Sequence, residues 1–291
     1  MSILDNETIK IILQFQRNEI TEHLVYKALA RFGKNEPNRA LLEKISEEEL
    51  IHYNIWKKYS QEEVKPNYFL VWFYALLARV LGLTFAIKLM ESGEKTAQTA
   101  YSKISSQVPE AKDIYKQEID HEQALIRLID EEKLYYMGSV VLGLNDALVE
   151  FTGALAGFTL ALQNSHLIGM VGMIMGISAS LSMAGSEYLS TKVEAQGKKP
   201  LKASLYTGIA YILTVLILIS PYLIFSNHLW ALALMMILAV MLIFAFSFYF
   251  SVVKDAPLKK HLIEMLVISL GVAMVSFTIG FAIRKIWKID I

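Results

Sequence analysis

The chain has 291 residues, 54% of them hydrophobic, with 28 basic and 28 acidic side chains and no cysteine. That length suits two domains, and the apolar fraction is too high for an ordinary soluble pair, so part of the chain belongs in a lipid bilayer. Without thiols there is no disulfide frame, thiolate site or iron–sulfur ligation, and any transition metal must be held by carboxylate, imidazole or thioether groups. No basic cluster points to nucleic acid. The formal neutrality hides a partition: residues 1–137 hold 18 Lys/Arg and 21 Asp/Glu, and the remainder holds 10 and 7. The expected architecture is all-α, with a water-soluble domain over 1–136 and a transmembrane domain over 137–291. Met1 to Asn18 is polar and helix-periodic, unlike a secretory leader, so the first domain is expected in the cytoplasm.

The first helix is expected over 5–32, where Ile9, Ile12, Leu13, Phe15, Ile20, Leu24 and Ala28 recur at helical spacing and Gly33 supplies a stop. Pro37 suits the first turn of a second helix, which continues from Leu41 to Tyr59 until Pro66-Asn67 breaks it. The apolar stretch that follows is long enough to be mistaken for a membrane span, but Arg79 and Lys88 argue against one, since a centrally placed Arg costs about 2.5–3.5 kcal/mol on insertion scales. A short amphipathic helix over 68–81 is expected instead, lying on the membrane surface with Trp72, Phe73, Leu76 and Leu77 down. A bend at Gly82, a helix over 83–106, and a further helix opened by Pro109 and running to about Leu134 complete the first domain.

Glu49 and His52 are three residues apart, as are Glu118 and His121, so each pair leaves one face of its helix. With the single glutamates Glu19 and Glu91 from two other helices, this is the arrangement by which four-helix bundles hold two iron or manganese ions between bridging carboxylates. Residues 5–134 resemble the ferritin-like superfamily, rubrerythrin in particular, through Glu19, Glu49-Leu50-Ile51-His52, Glu91-Ser92-Gly93-Glu94 and Glu118-Ile119-Asp120-His121. The resemblance implies a cofactor of two Fe (or Mn) ions per ferritin-like domain and leaves ferroxidase activity open. It also implies that Glu94 is the second glutamate of the third helix, which exchanges with a neighbouring ligand. Rubrerythrins carry a cysteine-ligated rubredoxin domain that this chain lacks. His23 and Glu122, next to ligand positions, read as solvated or supporting residues.

Five spans are expected from Met137 onward, at roughly 138–162, 165–189, 203–225, 228–250 and 262–284, because about 20 apolar residues of helix cross a bilayer. Lys192, Lys198, Lys199 and Lys202 fall between the second and third, and Lys254, Lys259 and Lys260 between the fourth and fifth. The positive-inside rule puts those loops, and with them residues 1–137, in the cytoplasm, although an odd number of spans leaves Arg284, Lys285 and Lys288 outside. Asp146 stands about 12 Å into the first span with Glu150 one turn later, a costly position unless the pair faces a polar cavity. Met183 and Glu187 are one turn apart in the second span, with Met175 two turns earlier, and a thioether favours Fe²⁺ over Mg²⁺ or Ca²⁺. Gly153/Gly157 and Gly172/Gly176 suit close helix packing.

Gly143-Leu144-Asn145-Asp146-Ala147-Leu148-Val149-Glu150 with Gly153, and Ser182-Met183-Ala184-Gly185-Ser186-Glu187-Tyr188-Leu189-Ser190, resemble the first two helices of the vacuolar iron transporter family. That resemblance covers residues 137–285. It implies a homodimer exchanging Fe²⁺, often Mn²⁺, against protons along a path lined by Asp146, Glu150, Met175, Met183 and Glu187. The glutamate-rich insert of plant and fungal members is missing, since residues 190–202 are too short for it. By the same resemblance the ferritin-like domain is expected to take its place as the cytoplasmic metal collector, as in the membrane-bound ferritins of bacteria and archaea. The expected function is proton-coupled export of metal across the cytoplasmic membrane. The rival is a membrane-anchored ferroxidase or peroxide scavenger.

Overall fold

A computed structural model describes residues 5–33, 36–94, 104–105, 107–127, 136–194 and 198–287. The chain divides into two compact units, Met1–Glu131 and Glu132–Ile291.

In the first unit α1 (Asn6–Leu29) begins at Asp5, whose carboxylate accepts from the Thr8 amide. It packs along α2 (Glu36–Ser60); α3 (Tyr68–Val80), α4 (Leu83–Glu94) and α5 (Ala111–Arg127) follow. α1 stops three residues short of the expected end because the chain tightens into a 3₁₀ turn at Ala30–Phe32. Helix α4 is described to Glu94, so the expected continuation to 106 and that of α5 beyond Arg127 lie outside the described residues.

Two apolar clusters hold this unit. One joins Val25, Tyr26 and Leu29 to Leu42, Ile45, Ala78, Ala86, Ile87, Met90 and Leu125. The other joins Ile12 and Phe15 to Trp56, Ile104, Val108, Ala111 and Ile114. Between them, at the same helical spacing, come Glu19 on α1, Glu49 and His52 on α2, and Glu118 and His121 on α5. Helical periodicity thus threads each inward stripe, such as 42-45-49-52-56, through apolar, ionisable and apolar levels.

α3 begins under Asn67, which caps Leu70 and whose own amide donates to Thr21 Oγ1 of α1. It ends before Gly82, whose φ of 107° is open to glycine. Ala78 is buried and Val71, Tyr74 and Leu77 pack on the first cluster. Leu77 is therefore on the bundle side of the helix, a correction to its expected outward place. Trp72 and Leu76 are exposed as expected, together with Phe69 and Val80.

Among the described residues the second unit has five helices long and apolar enough to cross a membrane: α6 (Met137–Leu162), α7 (Ser165–Glu194), α8 (Pro200–Ile224), α9 (His228–Lys254) and α10 (Leu258–Trp287). α7 runs five residues past the expected end and α10 starts four residues before the expected one. Polar residues such as Lys192 and Lys259 end an apolar window without ending a helix. Small residues set the packing: Cβ atoms at Gly153 and Gly157 would strike Val272 and Ser276 of α10, and at Gly172 and Gly176 they would strike Ile219 and Val215 of α8. Within α6 the residues Ala147–Phe151 form a π-helical turn, and Ser269 of α10 donates to the Leu148 carbonyl there (2.6 Å).

Candidate metal centres

In the first unit Glu19, Glu49, His52 and Glu118 each offer a ligand atom, and these atoms all lie within 4.8 Å of one another. Glu19, Glu49, His52 and His121 are all buried. The two imidazoles stack with centroids 5.9 Å apart, and the carboxylates address both rings. Glu49 Oε2 lies 3.2 Å from His52 Nδ1 and its Oε1 lies 3.1 Å from His121 Nδ1. Glu118 does the same, with Oε1 2.9 Å from His52 Nδ1 and Oε2 3.7 Å from His121 Nδ1. Glu19 Oε2 adds a contact at 3.5 Å to His52 Nδ1, while its Oε1 accepts from Trp56 Nε1 at 2.9 Å.

The far nitrogens are engaged from behind. His52 Nε2 donates to Gln117 Oε1 (2.7 Å) and His121 Nε2 donates to Glu48 (2.9 Å). Each ring is braced from the opposite helix by the residue just before that helix's own Glu-x-x-His glutamate. Such bonds fix the tautomer and turn the Nδ1 lone pair inward. Among the described residues carboxylate oxygens lie inward, and Glu118 Oε1 is buried without completing a hydrogen bond. Lone pairs facing one another in a buried cluster call for cations between them, either protons or metal ions. The donor set, carboxylate and imidazole without thiolate, suits Fe²⁺ or Mn²⁺.

Without metal, protons fill this role. Burial opposes charge on His121, but Glu118 and Glu49 hold its imidazolium up to about 10. Burial likewise opposes charge on His52, where Glu118, Glu19 and Glu49 raise it beyond the ordinary imidazole range. Burial would raise Glu49, yet hydrogen bonds from His121 and His52 draw its carboxyl down to about 2. Glu19 is pushed well up by burial, which the bond from His52 offsets only in part. A raised imidazole stabilises the metal-free fold fully below its ordinary range, and at His121 that stabilisation is lost as pH rises through about 10. Metal must displace the same protons. Binding at neutral pH is therefore expected to release protons, so that apparent affinity rises with pH. Calorimetric Mn²⁺ titration in buffers of differing ionisation enthalpy checks this, and pH-independent binding would contradict it.

Glu91 and Glu94 sit in the last turn of α4, and their side chains lie outside the described ones. His23 is structural: its Nδ1 lies 2.7 Å from the Ser46 carbonyl, and Ser46 Oγ returns a bond to the His23 carbonyl. Sequence reasoning missed Glu48, Gln117 and Trp56, although the first two hold the same place in the two repeats, Glu48-Glu49-x-x-His52 and Gln117-Glu118-x-x-His121.

In the membrane unit Asp146 closes the α-helical first part of α6, and Glu150 follows in the π turn within hydrogen-bonding reach of it. The fully buried Tyr211 of α8 directs its hydroxyl at Glu150 without closing a standard hydrogen bond. Asn145 Oδ1, one residue before Asp146 in the chain, is buried without a hydrogen-bond partner among the described residues. Met175 and Met183 pack on the cluster that contains Tyr211, Ala147 and Phe151. Glu187 sits elsewhere: it accepts from Ser139 Oγ (2.5 Å), two turns before Asp146, and from Thr191. Tyr211 and the π turn carry no sequence signal, since one is an ordinary aromatic in an apolar span and the other lies within an uninterrupted apolar helix.

Residues 137–199 match the VIT family. The matched segment spans α6 and α7, and so contains Asp146, Glu150, Met175, Met183 and Glu187. No curated protein and no solved structure matches the chain.

Proposed function

We propose that the chain moves Fe²⁺, and also Mn²⁺, out of the cytoplasm across the cell membrane in exchange for protons, working as a homodimer. The observation that carries this reading is the carboxylate pair Asp146–Glu150, set beside the buried Tyr211 inside a VIT-family segment. A helix that served only as an anchor would not hold two acids at that depth, where ionisable groups mark ion pathways. Met175 and Met183, on the same cluster, supply soft ligands that favour Fe²⁺ over the hard alkaline-earth ions.

The first unit is read as a ferritin-like, rubrerythrin-like four-helix bundle of α1, α2, α4 and α5 that collects the metal. A pair of ions is proposed there, supported by Glu49 and Glu118, each of which turns one oxygen towards either imidazole and would hold both ions. When bound, such a pair supplies Fe²⁺ oxidation chemistry. The chain's own groups supply the anionic cage, the braced imidazoles and a dry surround of Trp56, Phe15 and Ile45. Glu91 and Glu94 complete the proposed ligand set.

Selectivity tests the reading. In proteoliposomes, Fe²⁺ flux is expected to be competed by Mn²⁺ and left intact by equal Mg²⁺. A chain that moves no divalent ion, yet still oxidises Fe²⁺, would be the anchored ferroxidase instead.

A further inference from the structure

Helix α3 carries five aromatics in thirteen residues, Tyr68, Phe69, Trp72, Phe73 and Tyr74, and one charge, Arg79. Its orientation is fixed from the bundle side, where Ala78 is buried and Val71, Tyr74 and Leu77 pack on the core. The opposite stripe cannot turn inward. Along it Phe69 is 66% exposed, Trp72 60% and Val80 61%, with Leu76 between them. The rings of Phe69, Trp72 and Phe73 group together, with centroids 6.2–6.4 Å apart. Such a continuous apolar stripe is costly in water and marks an interaction face.

We infer that this stripe is seated in the interfacial layer of an anionic lipid bilayer, making α3 a membrane-surface helix of the first unit. Four observations favour lipid over a protein partner. The helix is about 20 Å long at 1.5 Å per residue, too short to cross a hydrocarbon core of about 30 Å, and Asn67 and Gly82 fix its ends. Its aromatics, above all Trp72 and Tyr68, are the residues that settle at headgroup depth. The charge is complementary: from residue 64 to residue 90 there is no acid, whereas Lys65, Arg79 and Lys88 are basic. Finally, the described residues include five helices long and apolar enough to cross a membrane, so a bilayer is tethered to α3 at high effective concentration.

The chain has no native cysteine, so a single nitroxide can be placed without background. Phe69→Cys, Trp72→Cys and Leu76→Cys lie on the stripe, and Glu47→Cys on the exposed side of α2 serves as control. Each full-length variant is labelled and reconstituted in phosphatidylcholine vesicles with and without phosphatidylglycerol, and its collision rates with oxygen and with a water-soluble nickel chelate are compared. The expected result is a several-fold preference for oxygen at 69, 72 and 76, the opposite preference at 47, and deeper immersion when phosphatidylglycerol is present. Arg79→Glu should remove that lipid dependence. Brominated phospholipid should quench the unlabelled protein more than its Trp72→Phe variant, a readout that needs no label. Stripe labels open to the nickel chelate would overturn the proposal. So would labels shielded from both reagents, with spin–spin broadening pointing to a second copy and its lack to cover by protein of the same chain.

Discussion

Replacing Asp146 by Asn is expected to abolish Fe²⁺ flux, and the proton movement coupled to it, in a protein that still folds. The carboxylate can hold either a divalent cation or a proton, and that competition is the simplest physical basis for exchange. Asparagine keeps the shape and much of the hydrogen bonding while deleting the charge. Losing a charge from within a membrane helix should not weaken the fold, since its desolvation cost disappears. The proposed metal ligands Glu19, Glu49, His52, Glu118 and His121 lie on other helices, so Mn²⁺ binding by them should be unchanged, which separates a transport defect from misfolding. Flux from a correctly folded variant at the wild-type rate and pH dependence would make Asp146 a structural residue.

The second large effect is expected at Glu49. Its two oxygens face His52 and His121 at 3.2 and 3.1 Å, so Glu49→Ala removes a bridge from both proposed ions at once. It also leaves two imidazoles without the carboxylate between them. Bound Mn²⁺ or Fe²⁺ should fall from about two per chain to well below one, and Glu118→Ala should act alike because Glu118 reaches both rings. Equilibrium dialysis of the full-length variants, with metal read by elemental analysis, checks this. Unchanged stoichiometry in both would remove the dimetal reading and leave the cluster a protonated structural network.

The helices were legible because their signals are local. Period and caps place α1, α2 and α3, and apolar length places α6 to α10, with errors confined to ends such as Glu194 and Leu258 where polar residues continue a helix. Glu19, Glu49, His52, Glu118 and His121 were legible for a related reason, since three-residue spacing on an inward stripe fixes where a side chain points. What was not legible depends on partners distant in sequence. Gln117 matters only because α5 sets it against His52, and Tyr211 because α8 sets it against Glu150. Leu77 was misplaced for a similar reason: on a helix apolar nearly all round, periodicity cannot choose the buried face, and contact with the bundle chose it.

Proton-coupled export is tested most directly by Fe²⁺ movement in proteoliposomes holding the full-length wild-type chain, recorded together with internal pH, with and without an imposed pH gradient. Fe²⁺ is expected to move against the direction of proton flow and to be accelerated several-fold by the gradient, with protons crossing only when metal does. Fe²⁺ flux indifferent to the gradient, or no flux under any gradient, would contradict it.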